Sequence, residues 1–108
     1  MAVVNRFDVF LVNLDREISR DPKNTRPSVV ISPDEINRNL NSVLIAPLAT
    51  MKAAYPTRVP VDFLNGIRHV ILDQIRSVDR ERLVKKIGEI DEASRREIIG
   101  RLQEIFAE

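Results

Sequence analysis

A chain of 108 residues is the size of one ordinary domain, which excludes a two-lobed enzyme with a cleft between folded halves. Hydrophobic residues at 44% and charged residues at 31% supply a core and a solvated surface, so the chain reads as folded rather than disordered. No cysteine and a single histidine exclude disulfide frameworks, thiol nucleophiles, thiolate zinc sites and imidazole clusters, and 17 basic against 16 acidic residues give no global reason to expect a polyanion partner.

The opening stretch, MAVVNRFDVF, is interrupted by Asn5, Arg6 and Asp8, so neither a signal peptide nor a membrane span is expected there, and a reducing cytoplasm is the default location. Residues 7–14 (FDVFLVNL) are β-branched and aromatic and predict a strand. The polar segment Asp15–Arg26 carries no apolar period and predicts a loop. Pro27 then opens SVVIS, whose Val29, Val30 and Ile31 form a second apolar run. In Ser32-Pro33-Asp34-Glu35, Ser32 is the expected N-cap and Pro33 the first helical residue of a short helix ending near Asn39. Ser42–Leu48 (SVLIAPL) is the next strand, and the alternation over residues 57–62 predicts another, which Pro60 places at an edge or near its end. Asn65-Gly66 is the strongest hairpin signal, because both residues tolerate positive φ, and it leads into HVILDQIRSV as part of a β-meander.

From Asp91 the period changes to 3.6. Ile98, Ile99, Leu102, Ile105 and Phe106 share one face of a helix expected over Glu92–Ala107, with Asp91 as its N-cap. Gly100 costs that helix about 1 kcal/mol relative to Ala, and a close neighbour is expected there. The elements add up to one α+β domain over residues 1–108, a small antiparallel β-barrel with a C-terminal amphipathic helix. Such a domain suits an RNA-binding module, a protein-interaction domain or a small enzyme. Thirteen of the basic residues are Arg and four are Lys, a bias toward the side chain that grips phosphate with two parallel N–H groups.

Four stretches in fixed order carry a resemblance: FDVFLVNLD (Phe7–Asp15), NTRPSVVIS (Asn24–Ser32), VLIAPLATMKAAYPTRVPV (Val43–Val61) and VILDQIRSVDRERLVKKIGEI (Val70–Ile90). Together they resemble the MazF/PemK/Kid family of type II toxin–antitoxin systems over nearly the whole chain. The resemblance implies an SH3-like barrel, a homodimer, single-stranded mRNA as substrate and a cognate antitoxin as partner, with no cofactor, metal or membrane. It implies an endoribonuclease that uses the RNA's own 2′-hydroxyl as nucleophile. By its place in the TRP motif, Arg26 is the expected stabiliser of the phosphorane; the bland role is a carboxylate pair at the loop–strand junction.

The family hydroxyl just after the strand ending in Pro-Leu is missing here. Ala49 follows Pro47-Leu48, and the hydroxyl comes one place later, at Thr50, the second expected catalytic residue or else a turn residue. Asp73 is the third, as proton acceptor or reader of a base edge, with the alternative that it caps its turn and orients Arg76. Gln74 and Pro47 are expected to line the substrate groove, and Arg20, Lys23 and Asn24 to reach over the RNA from the loop before TRP. His69 falls outside the motif and reads as a structural or surface residue, although histidine is the side chain that titrates near neutrality. Tyr55 offers a stacking ring or a packing device. Arg80, Arg82, Lys85 and Lys86 read as a solvated or dimer-edge charge network. Two rival readings use the same fold: a gyrase poison similar to CcdB, and a family member with weakened catalysis.

Overall fold

The apolar run at the start of the chain folds as β1 (Asp8–Asn13), which pairs antiparallel with β2 (Thr25–Val30). The computed structural model describes residues 3–14, 25–50 and 55–107. After β2 come α1 (Asp34–Asn39), β3 (Ser42–Ala49), β4 (Arg58–Asp62), β5 (Ile67–Ile71), a 3₁₀ turn (Leu72–Gln74), β6 (Arg76–Asp79), a second 3₁₀ turn (Arg80–Arg82), β7 (Leu83–Glu89) and α2 (Glu92–Phe106). The strands run β4-β5-β3-β2-β1-β7, and β6 also pairs with β3. The α+β class and the C-terminal helix are as expected. The barrel is not closed by pairing, because β4 and β7 remain the two ends of the sheet.

The curled sheet buries both of its faces. Val9, Val29, Ala46, Leu48, Val59 and Val70 lie in one cluster with Ile98 of α2, whereas Phe10, Val12, Val30, Val43, Ile45, Val78 and Leu83 form a second. Alternation along each strand sends neighbours to opposite clusters, which is why the strands read as near-continuous apolar runs.

Several boundaries differ from the sequence reading. β2 begins at Thr25, so Thr25 and Arg26 belong to the ladder opposite Asn13 and Val12 rather than to the loop. Ser32 does not cap α1. Pro33 holds the cap position, and the buried Ser32 hydroxyl donates to Asn37 Oδ1 at 2.5 Å and accepts from the Leu44 amide at 3.0 Å, tying α1 to β3. The hairpin between β4 and β5 forms, but its positive-φ pair is Leu64 (51°) and Asn65 (60°), one residue earlier than expected, closed by Phe63 N–H donating to the Gly66 carbonyl at 2.9 Å. The HVILDQIRSV run is two strands, with the 3₁₀ turn between them.

β7 escaped the periodicity because its register against β1 shifts twice, between Val9 and Phe10 and between Leu11 and Val12, which breaks the alternation. On β7, Lys86 does more than face solvent, since its ammonium lies 3.2 Å from the buried Asp8 carboxylate and 3.0 Å from Glu89. Asp91 caps α2 as expected, accepting from the Ser94 amide at 3.1 Å. Gly100 has no close neighbour, since an added Cβ meets nothing within 4 Å; the glycine that packs tightly is Gly88, where a Cβ would lie 2.7 Å from the Phe63 ring. The apolar stripe of α2 also outruns the sheet. Ile98 is fully buried, whereas Phe106 is 78% exposed.

Candidate functional site

Arg26 is the second residue of β2, exposed, and its Nη1 donates to the neighbouring Thr25 carbonyl at 3.0 Å. Among the described residues it pairs with no carboxylate; Asp15, Glu17 and Asp21 of the preceding segment lie outside them. An exposed guanidinium with most of its donors unused among the described residues is the chemical equipment for gripping a phosphate.

Register shows what surrounds it. Val30, Val29 and Ser28 lie opposite Ile45, Ala46 and Pro47, so the start of β2 and the end of β3 share one end of the sheet. The ladder ends there, with Arg26 two residues before Ser28 on β2 and Ala49 two residues after Pro47 on β3. Cross-strand partners point to the same face, so Arg26, Ser28, Pro47 and Ala49 share a face opposite to Val29, Ala46 and Leu48 of the first core cluster. Thr50 is exposed and follows the last residue of β3, so it has left the ladder at this same end of the sheet. β5 extends the face: Ala49 lies opposite His69, and His69 opposite Pro60 of β4.

Asp73 and Gln74 are exposed in the 3₁₀ turn that follows β5. The Thr57 hydroxyl donates to Asp73 Oδ1 at 2.9 Å, and Arg58 Nε approaches the same oxygen at 3.4 Å. Asp73 therefore orients Arg58 rather than Arg76. The Arg58 guanidinium in turn lies 4.6 Å from the centre of the Tyr55 ring. The Thr57 hydroxyl first, and Arg58 second, hold the Asp73 carboxyl below its ordinary 3.8. A carboxylate so held is a good hydrogen-bond acceptor and a poor proton acceptor.

The sign of the pH effect follows. This pairing is fully present above the ordinary carboxylate value and is lost as pH falls through the lower folded value. Acid melts should show a shallow loss of thermal midpoint below about pH 4 that Asp73→Asn removes, small because the pair is exposed and screened. The sequence reading missed Thr57 and Arg58 as partners of Asp73, since 16 and 15 residues separate them and no local pattern joins them.

Pro47 is half-buried beside Ser28 on the Arg26 face. Arg20, Lys23 and Asn24 lie outside the described residues. Two apolar clefts run along α2, one past Phe7, Ile99 and Gly100 and the other past Arg6, Leu102 and Phe106, and neither includes Arg26, Thr50 or Asp73.

Comparison with known proteins gives a consistent result. A family model described as "PemK-like, MazF-like toxin of type II toxin-antitoxin system" matches residues 5–106. The chain is 31% identical over 96 residues to Endoribonuclease EndoA of Bacillus subtilis (strain 168), covering 83% of this chain and 83% of that protein. Among solved structures, a MazE-MazF crystal structure from Deinococcus radiodurans superposes with a TM-score of 0.80 at 22% identity, covering 99% of this chain and 98% of that one. A mycobacterial endoribonuclease in complex with its cognate antitoxin superposes at 0.79 and 22%, covering 94% and 92%.

Proposed function

The chain belongs to the PemK-like, MazF-like toxin family of type II toxin–antitoxin systems, a family that includes endoribonucleases, and on that premise we propose that it cuts single-stranded mRNA at a preferred sequence without a metal ion. The observation that carries the reading is Arg26, an exposed guanidinium free of carboxylates among the described residues, at the end of the sheet where Thr50 emerges and on the face continued by Ala49. The 2′-oxygen of the RNA attacks the adjacent phosphorus and the P–O5′ bond breaks. The fragments carry a 2′,3′-cyclic phosphate and a 5′-hydroxyl. Arg26 donates in parallel to the non-bridging oxygens, whose charge grows in the five-coordinate transition state. Thr50 donates its hydroxyl to a phosphate oxygen.

Asp73, ionised and anchored, accepts from an exocyclic amino group, while Gln74 offers both a donor and an acceptor to a base edge. Pro47 forms the apolar floor beside Ser28, and Arg20, Lys23 and Asn24, which precede Arg26 in the sequence, are assigned to the backbone of the RNA. The protein works as a cytoplasmic homodimer restrained by a cognate antitoxin. The antitoxin-bound structural relative supports that partnership. Ala49 favours one variant of the reading, a slower enzyme, because the hydroxyl expected at that position is absent.

Incubating the purified protein with a long unstructured mRNA, with and without EDTA, tests the proposal. Cleavage should persist in EDTA, and the fragments should accept a 5′-label from polynucleotide kinase without prior phosphatase treatment. Loss of cleavage in EDTA, or 5′-phosphate ends, overturns the mechanism.

A further inference from the structure

Cleavage by 2′-hydroxyl attack needs a group to take the 2′-hydroxyl proton. Asp73 is committed to Thr57 and Arg58, and the family hydroxyl is replaced by Ala49. The strand register places a different candidate at this point. His69 on β5 lies directly opposite Ala49 on β3, and cross-strand partners share a face. One face of the sheet therefore carries Arg26 of β2, Ala49 of β3, His69 of β5 and Pro60 of β4, the last three in one cross-strand row. His69 is one strand spacing from Ala49, roughly 5 Å at the backbone, and β2 with Arg26 lies on the other side of β3, which sets an imidazole and a guanidinium on either side of Ala49.

Hydrogen-bonding capacity is left over along the same row. Buried polar atoms almost always have partners. Three among the described residues do not: Arg6 Nε, Ser28 Oγ and His69 Nδ1. Two of the three lie on this face, Ser28 two residues along β2 from Arg26, and His69 beside Ala49. Ser28 is fully buried, so the unmet capacity belongs to the floor of the face, with β3 between these two residues, Pro47 opposite Ser28 and Ala49 opposite His69.

We propose that His69 is a catalytic residue of this chain, the acceptor of the 2′-hydroxyl proton, standing in for the hydroxyl that Ala49 lacks. The proposal rests on the endoribonuclease reading. His69 Nδ1 is buried, so a neutral imidazole that carries its proton there accepts through Nε2. It takes the proton as the 2′-oxygen bonds to phosphorus. The departing 5′-oxygen takes a proton from water as the P–O5′ bond breaks, and the imidazolium returns its proton to solvent. Among the described residues the charged groups on the same face of β2 and of β4 to β6 are Arg26 of β2, Arg58 and Asp62 of β4 and Arg76 of β6, which lies opposite Ile45, with Asp73 beyond the end of β5; Pro47 and Ala49 of β3, and Ile67 and Ile71 of β5 itself, carry no charge.

Single-turnover cleavage of a long unstructured mRNA between pH 5.5 and 8.5 tests the assignment. The wild-type rate should rise with pH through one ionisation, and His69→Gln should lose about 10²–10⁴-fold in rate together with that ionisation. Its affinity for the 2′-O-methyl form of the RNA should stay within about twofold of wild type. Adding Ala49→Thr to His69→Ala should restore at least about tenfold over His69→Ala alone. A merely structural histidine would lower the thermal midpoint and leave the shape of the pH profile intact. That result, or cleavage by His69→Gln at the wild-type rate with the wild-type profile, overturns the proposal. A wild-type protein that cuts no RNA overturns the endoribonuclease reading, and His69 with it.

Discussion

Arg26→Ala should lower RNA cleavage about 10³-fold and leave folding stability within about 0.5 kcal/mol of wild type. The two halves of that expectation come from the same geometry. Arg26 is exposed on β2, donates to the carbonyl of its neighbour Thr25, and pairs with no carboxylate among the described residues. Truncation therefore removes little from the folded state. In the transition state the guanidinium meets a phosphorane carrying more charge than the ground-state phosphodiester, so its loss falls on the rate rather than on RNA affinity. Arg26→Lys should lie between alanine and wild type, because an ammonium keeps the charge and loses the parallel two-point grip. Single-turnover rates with thermal melts on the same preparations check both parts. Cleavage by Arg26→Ala at the wild-type rate moves the site away from β2.

The parts of this fold legible in the sequence are those whose information is local. β1, β3 and α2 announce themselves through apolar period, and the Asp91 cap through residue type. β7 does not, because each register shift against β1 leaves one β7 residue, Ile87 and then Val84, without a partner in the ladder and spoils the alternation. Thr25 and Arg26 look like loop because they are polar, yet β1 supplies the ladder that extends them. The site is less legible for the same reason. Arg26 was reachable through its motif, but the anchoring of Asp73 by Thr57 and Arg58, and the face shared by Arg26, Ala49 and His69, exist only once strands are paired. The near-balance of 17 basic and 16 acidic residues was likewise a poor guide. A charge total carries no position, and a few single-stranded nucleotides need one local cationic edge.

Ile98→Ala should cost about 2–5 kcal/mol, a large share of the 5–15 kcal/mol typical of a whole domain, whereas Phe106→Ala should leave the protomer within about 0.5 kcal/mol of wild type. Both residues lie on the apolar stripe of α2, and sequence periodicity ranks them as equals. Burial separates them. Ile98 is fully enclosed in the cluster with Val9, Val29, Leu48, Val59 and Val70, while Phe106, the last residue of α2, is 78% exposed. Removing Ile98 leaves a cavity where α2 meets the strands, and the neighbouring side chains relax into it only in part. At roughly 4–8 °C of thermal midpoint per kcal/mol for a domain near this size, Ile98→Ala should melt at least about 8 °C below wild type. Because the Ala49–His69 row lies on the opposite face of the same strands, the damage should reach catalysis only as the fraction of protein unfolded: activity of Ile98→Ala well below its melt should match wild type per folded molecule. An Ile98→Ala melt within about 2 °C of wild type removes α2 from the core, and a rate defect in the folded protein joins the two faces that the strand alternation keeps apart.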